Sequence, residues 1–99
     1  MRIKTQDLTG EALDLAVAEC VGLNLYVARL QRFSPSTNWA QGGPIIEREG
    51  IALYLYGDNE WNAHTGNKEF TGPTPLIAAM RCYVASKLGE ELDIPEELV

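Results

Sequence analysis

One alternating stretch constrains the fold more than any other, "IALYLYGDNEWNAH" at residues 51–64. Ile51, Leu53 and Leu55 point to one side of an extended chain, and the residues between them point to the other. Gly-Asp-Asn supplies a turn, after which a second extended run follows. The pattern predicts a β-hairpin with bulky groups on both sides, so we expect its sheet to be covered on both faces.

Two helices have recognisable beginnings and ends. The first is predicted to begin after Thr9 and to stop at Gly22, and Asp14 lies off its apolar stripe. The stripe has the helical spacing i, i+3, i+4, i+7, and its members are Leu13, Ala16, Val17 and Cys20. The last helix begins after Thr74, with a proline at its first position, and ends at Gly89.

The remaining segments give weaker signals. Residues 1–5 predict a short edge strand, and residues 64–74 predict a polar loop. The alternation in "LNLYVARLQRF" at 23–33 favours a half-buried strand, with a helix as the alternative. The acidic residues 90–99 either add a short edge segment or stay mobile.

These elements indicate one α+β domain at residues 1–89, followed by an acidic C-terminal tail at 90–99. A length of 99 residues with 45% hydrophobic content is enough for one core. We expect a small α/β/α sandwich, in which helices cover both faces of a mainly antiparallel sheet of three to four strands.

The stretch "SPSTNWAQGGPIIEREGI" at 34–51 places two glycines and Pro44 inside a helical pattern. Ser36 or Asn38 can cap a first turn, and Pro44 can begin a second short helix that ends at Gly50. The pattern predicts a helix broken at residues 42–44. Such a break would expose N–H groups beside Gly43, which suits an anion, although a kinked connector is the alternative.

Charge and cysteine content exclude several classes of protein. Eight basic residues against 14 acidic ones give a net charge of −6, which argues against a broad nucleic-acid face but leaves room for a local basic pocket. Cys20 and Cys82 lie in apolar helical patterns and are interpreted as buried free thiols. With no signal-peptide pattern and no apolar run of membrane-spanning length, we expect a soluble intracellular protein.

No complete catalytic, metal or nucleotide motif is present. His64 is the single histidine, so a Cys-His pair with Cys20 or Cys82 is the one nucleophilic arrangement available, and both thiols are expected to be buried. The carboxylates around the hairpin are interpreted as solvated. We therefore predict no catalytic residues, no metal site and no cofactor.

Three blocks of sequence resemble a known family. They are "LTGEALDLAVA", the 34–51 stretch and "GPTPLIAAMRCYVASKLGEEL", and together they are similar to the NinX-like family of small proteins encoded by tailed bacteriophages and prophages. The resemblance covers nearly the whole chain. It implies a phage protein that acts in the bacterial cytoplasm outside the virion, and it supplies no reaction.

Two hypotheses for function follow. The first is a non-enzymatic protein that modulates the host or counters its defences by binding a small host metabolite or nucleotide-derived signal, in a pocket completed by a second subunit. Its candidate ligand-binding residues are Ser36, Thr37, Asn38, Trp39, Gly42, Gly43, Trp61, Thr74 and Arg81. The alternative is an acidic module that inhibits or redirects a host protein. Direct nucleic-acid binding and membrane binding are disfavoured.

Overall fold

Residues 1–98, the part of the chain that the computed structural model describes, form helices and antiparallel strands in an α+β arrangement. The helices are α1 (Gly10–Cys20), α2 (Leu25–Leu30), α3 (Trp39–Glu49) and α4 (Pro75–Leu88). The strands are β1 (Arg2–Lys4), β2 (Ala52–Tyr56), β3 (Glu60–Thr65), β4 (Lys68–Gly72) and β5 (Glu91–Asp93). Short 3₁₀ turns follow β1 and β5. The predicted α+β class is confirmed.

The larger sheet is a three-stranded meander in the order β2-β3-β4. The predicted hairpin is confirmed as β2 and β3, with Leu53 opposite Ala63. The prediction of a polar loop at 64–74 was wrong, because residues 68–72 form β4 and Phe70 pairs with Ala63. Phe70 is buried, so β4 adds an apolar contact with the core to its pairing with β3.

The expected sandwich had helices on both faces of the sheet, whereas α4 and α1 are stacked on one side of it. One face of the sheet packs on α4, whose residues from Ala78 to Ala85 are nearly all buried around the whole helix. α1 packs against α4, so α4 is the middle layer between the sheet and α1. The opposite face of the sheet carries Tyr54 and Tyr56, which are 45% and 61% exposed.

A second, two-stranded sheet joins the two ends of the described chain. β1 and β5 are antiparallel, with Ile3 opposite Leu92. The amide of Ile94 donates to the carbonyl of Met1 over 2.8 Å, and Ile94 is buried. Of the two alternatives for the acidic tail, residues 91–93 adopt the edge strand. Val99, the last residue of that predicted tail, lies outside the described residues.

α2 replaces the strand predicted at 23–33, and that prediction was wrong. The Asn24 side chain accepts hydrogen bonds from the amides of Tyr26 and Val27, at 2.7 and 3.4 Å, and so caps a helix. Ala28 is buried against α1, whereas Tyr26 and Leu30 are exposed. The alternation in the sequence therefore reflects a short, mostly exposed helix that buries one small residue.

α3 is continuous, so the predicted break at 42–44 was wrong. Asn38 caps it by accepting from the Ala40 amide over 2.9 Å, and Gly50 ends it with a positive φ of 64°, as predicted. Pro44 lies within the helix, where it cannot donate to the carbonyl of Ala40. Ala40 is exposed, so water can satisfy that carbonyl and the helix continues through the proline.

Candidate functional site

The two helix starts that carry glycine and proline meet in the fold. Gly42 in α3 lies against Leu76 in the first turn of α4 and against the carbonyl of Pro35. A Cβ atom added at Gly42 would lie 2.6 Å from Cδ2 of Leu76. α3 and the start of α4 therefore pack directly against each other at Gly42.

The polar groups predicted at these helix starts are occupied by the helices. The Gly42 amide donates to the carbonyl of Asn38 over 2.8 Å, and the Thr74 hydroxyl accepts from the Ile77 amide over 3.1 Å. Because α3 does not break, the N–H groups expected to be free beside Gly43 belong to a helix. The predicted anion site at the break is therefore not formed.

The aromatic and hydroxyl candidates lie in different surroundings. Trp39 is 54% exposed at the first position of α3. Thr37 is exposed beside it. Trp61 is half-buried on β3, between Leu55 and Gly72, and it packs against the core.

Ser36 is buried and makes a contact that the sequence did not indicate. Its amide donates a hydrogen bond of 2.9 Å to Asp14 on α1, and Asp14 is also buried. Burial raises the pKa of Asp14; the contacts with Ser36 act in the opposite direction, and the charge of Glu11 adds to the rise. Sequence reasoning placed Asp14 off the apolar stripe, and no local signal marks the loop that covers it.

Arg81 is at the centre of a polar network. Its Nε donates to the carbonyl of Leu8 and its Nη1 to the carbonyl of Thr71, each over 2.8 Å. The Gln6 side chain donates to the Thr71 carbonyl over 2.9 Å and accepts from the Thr71 amide over 3.1 Å. Among residues 1–98, no carboxylate lies within ion-pairing distance of Arg81. The guanidinium thus retains donors that the network does not use.

Arg81 lines a concavity of about 520 Å³ at the end of the hairpin, hereafter the Arg81 concavity. Of the predicted site residues, Arg81 is the one that lines it. The other lining residues are Gln6, Tyr56, Gly57, Asp58, Asn59, Glu60, Thr71, Gly72 and Pro73. The site therefore combines a cation at one side, acidic and amide groups from the hairpin turn, and an exposed aromatic ring.

A larger groove of about 810 Å³ separates α1 from the β1–β5 sheet, hereafter the leucine groove. Its apolar lining includes Leu15, Leu23, Leu25, Leu88, Leu92 and Leu98. Glu19, Glu91 and Asp93 line it as well, together with Arg2. The groove was not predicted, because its walls come from segments that are distant in sequence.

The thiols and the histidine do not form a nucleophilic pair. Cys82 is fully buried on the α4 side of the sheet, whereas the adjacent β3 residues Ala63 and His64 are buried and exposed respectively. His64 therefore lies on the opposite face of the sheet. Cys20 is half-buried, and burial raises the pKa of its thiol to about 11, with a smaller contribution from Glu19. Both thiols are thus held in the unreactive protonated form at neutral pH.

Within residues 1–98, no helix combines the length and the apolar character needed to cross a membrane. A comparison with curated proteins found no match. The family model described as Bacteriophage P22, NinX matches residues 4–87, which is most of the chain and includes all nine predicted site residues. The resemblance in the sequence is confirmed: the chain belongs to the Bacteriophage P22 NinX family, and this membership supports a phage accessory protein.

Proposed function

We propose that this phage accessory protein is a non-enzymatic binding protein of the bacterial cytoplasm, and that it takes a small anionic ligand in the Arg81 concavity. The observation that carries the proposal is the guanidinium of Arg81, which is partly buried and has no carboxylate within 4.0 Å among the described residues. A partly buried guanidinium that has only backbone carbonyls as hydrogen-bond partners is a favourable site for a carboxylate or phosphate.

Electrostatics support an anion at this position. Burial lowers the pKa of Arg81, and the charge of Asp7 opposes that effect. An anionic group bound to the unused donors would favour the charged guanidinium further. The concavity is also within the size range of small-molecule sites.

The remaining lining residues restrict the class of ligand. Asp58 and Glu60 would repel a second anionic group but can accept hydrogen bonds from hydroxyl or amino groups. The exposed ring of Tyr56 offers a face for stacking. A molecule with one acidic end, a hydroxyl-rich middle and a planar ring fits these groups, and nucleotide-derived signals have this composition.

Thermal-shift and calorimetric titrations with mononucleotides test the proposal, and dinucleotides and ADP-ribose derivatives, which carry a second anionic group, serve as the comparison. Arg81→Lys keeps the charge but loses the planar donor set, so binding should weaken at least tenfold. Tyr56→Ala removes the stacking face without touching the network that holds Thr71, so it should also weaken binding while the fold remains intact. Arg32→Ala, at an exposed site, is the matched control. No binding across the panel, with no ligand copurifying from cells, would overturn the proposal.

The leucine groove favours a second candidate function, the binding of a host protein. An apolar floor flanked by Glu19, Glu91 and Asp93 is complementary to an amphipathic helix with basic residues along its edges. Leu25→Glu would place a charge in the groove, where Leu25 is 46% exposed. Pull-down from host lysate should then lose a stoichiometric, salt-sensitive partner, and a pull-down without any such partner counts against this function.

A further inference from the structure

β2 forms an edge of the three-stranded sheet with an unusually apolar sequence. It occupies one end of the order β2-β3-β4, so within residues 1–98 its outer side pairs with no strand. The strand Ala52–Tyr56 contains no charge, no proline and no glycine. Its last three residues are 45%, 54% and 61% exposed. Edge strands of this kind pair readily with another strand, because the usual obstacles are missing.

The opposite edge of the same sheet is blocked. On β4, the Gln6 side chain occupies both the amide and the carbonyl of Thr71, in the manner of a paired strand. Lys68 at the start of β4 forms an ion pair of 3.0 Å with Glu90. The fold therefore protects one edge of the sheet and leaves the other available.

The direction of the free groups on β2 follows from the contact at β4. The amide and carbonyl of Thr71 point away from β3, toward Gln6, so Thr71 and its β3 partner Asn62 form a non-hydrogen-bonded pair. The N–H and C=O of Asn62 therefore point toward β2, where they meet those of Tyr54. Backbone direction alternates along a strand, so Leu53 and Leu55 direct their N–H and C=O groups to the open side. The edge thus presents two donors and two acceptors around Tyr54.

The strand Ala-Leu-Tyr-Leu-Tyr is nearly the same when reversed, so an antiparallel second copy places similar apolar residues opposite each other. Paired antiparallel with a second copy and centred on Tyr54, each Leu53 lies opposite a Leu55 and exchanges two hydrogen bonds with it. Tyr56 lies opposite Ala52, so a large ring faces a small side chain. Tyr54 lies opposite Tyr54 of the second copy at a non-hydrogen-bonded pair, where side chains are closest.

We propose that β2 pairs with β2 of a second copy to form a symmetric dimer with a continuous six-stranded sheet. The interface is isologous, as two-fold symmetry requires, and it brings exposed apolar residues of the two strands into contact with each other. No like charges face each other within the paired strands, because β2 has none. Each copy carries a net charge of −6, so added salt should strengthen the dimer by screening.

Sedimentation velocity over a range of concentrations and salt tests this inference. The wild type should be a dimer that dissociates on dilution and is stabilised by salt. Tyr54→Lys and Tyr54→Glu each place two like charges at the symmetry axis, so each variant should be monomeric. An equimolar mixture of the two should restore a dimer, because Lys then lies opposite Glu.

Tyr26→Lys, which changes a 71% exposed aromatic on α2, is the matched control and should leave the dimer unchanged. Circular dichroism should show that every variant retains the fold, since Tyr54 is half-exposed and its hydroxyl contacts the exposed Glu69. A wild type that is monomeric at all concentrations, or a mixture that does not reassociate, would overturn the proposal. The dimer does not depend on ligand binding in the Arg81 concavity. Arg81→Lys leaves β2 unchanged, so this variant should remain dimeric even though it binds ligand more weakly.

Discussion

The backbone amide of Ser36 and the carboxylate of Asp14 form a buried hydrogen bond of 2.9 Å that joins the 34–38 loop to α1. The Ser36 hydroxyl beside it is also buried and makes no hydrogen bond of ordinary geometry within residues 1–98. Within residues 1–98, Asp14 is the one residue of α1 that accepts a hydrogen bond from this loop, and the Ser34 amide is bonded separately to Gln41. This contact, with that of Gly42 on Leu76, gives the 34–51 stretch a packing role.

Asp14→Ala should destabilise the protein by about 1–3 kcal/mol, because the buried Ser36 amide then loses its acceptor. Asp14→Asn keeps an acceptor of the same shape without the buried charge, so its stability at neutral pH should equal or exceed that of the wild type. Urea unfolding of both variants measures the difference. Equal losses for Ala and Asn would contradict the assignment.

The pH dependence of stability should carry the signature of Asp14. Its folded pKa lies above the ordinary value of 3.8, so the folded state holds the proton more tightly than the unfolded state does. The resulting stabilisation is fully present below 3.8 and is lost as the pH rises through the raised folded pKa. Relative to Asp14→Asn, the wild type should therefore lose stability between acid and neutral pH, as unfolding at several pH values can show.

Gly42→Ala and Gly43→Ala should change stability in opposite directions. A Cβ at Gly42 would collide with the Pro35 carbonyl and lie 2.6 Å from Leu76, and overpacking of this kind costs about 1–3 kcal/mol. At Gly43 the nearest atom is Cε3 of Trp39 at 3.9 Å, so alanine should stabilise α3 by about 0.5–1 kcal/mol. Melting temperatures of the two variants provide the comparison.

Trp39→Ala should cost about 1 kcal/mol or less, because over half of the side chain is already in water. Trp61→Ala should cost more, since that side chain packs against the core. Fluorescence provides an independent check: removing Trp39 should shift the emission of the native protein toward shorter wavelengths. A large loss of stability for Trp39→Ala alone would contradict its exposed position.

Both thiols should resist modification in the native protein at neutral pH. Cys82 is fully buried, and the pKa of Cys20 is raised to about 11. A thiol reagent such as DTNB should therefore label neither residue until the chain unfolds, after which both should react. With Cys82→Ala, the labelling rate of native Cys20 should rise with pH as the thiolate fraction grows, and should level off near pH 11. Fast labelling at neutral pH would contradict the burial of Cys20.

Local sequence determined the elements that have their own beginning and end. Thr74, Pro75 and Gly89 bracket α4, Thr9 and Gly22 bracket α1, and the alternation around Gly-Asp-Asn sets the hairpin. In each case the turn or cap and the apolar spacing agree, so local preference and burial favour the same structure. The family resemblance was also visible in the sequence alone.

Only the tertiary structure decided the continuity of α3, the third strand, the order of layers and the burial of Asp14. Gly42 and Pro44 locally favour a break, yet packing on Leu76 and Pro35 needs a helix without a side chain at that position. Phe70 is one apolar residue in a polar stretch, and Asp14 sits on a polar helix position that a distant loop covers. The Arg81 concavity likewise joins residues more than 70 positions apart. Contacts between segments distant in the chain leave no local pattern, because their energy comes from surfaces that meet only after folding.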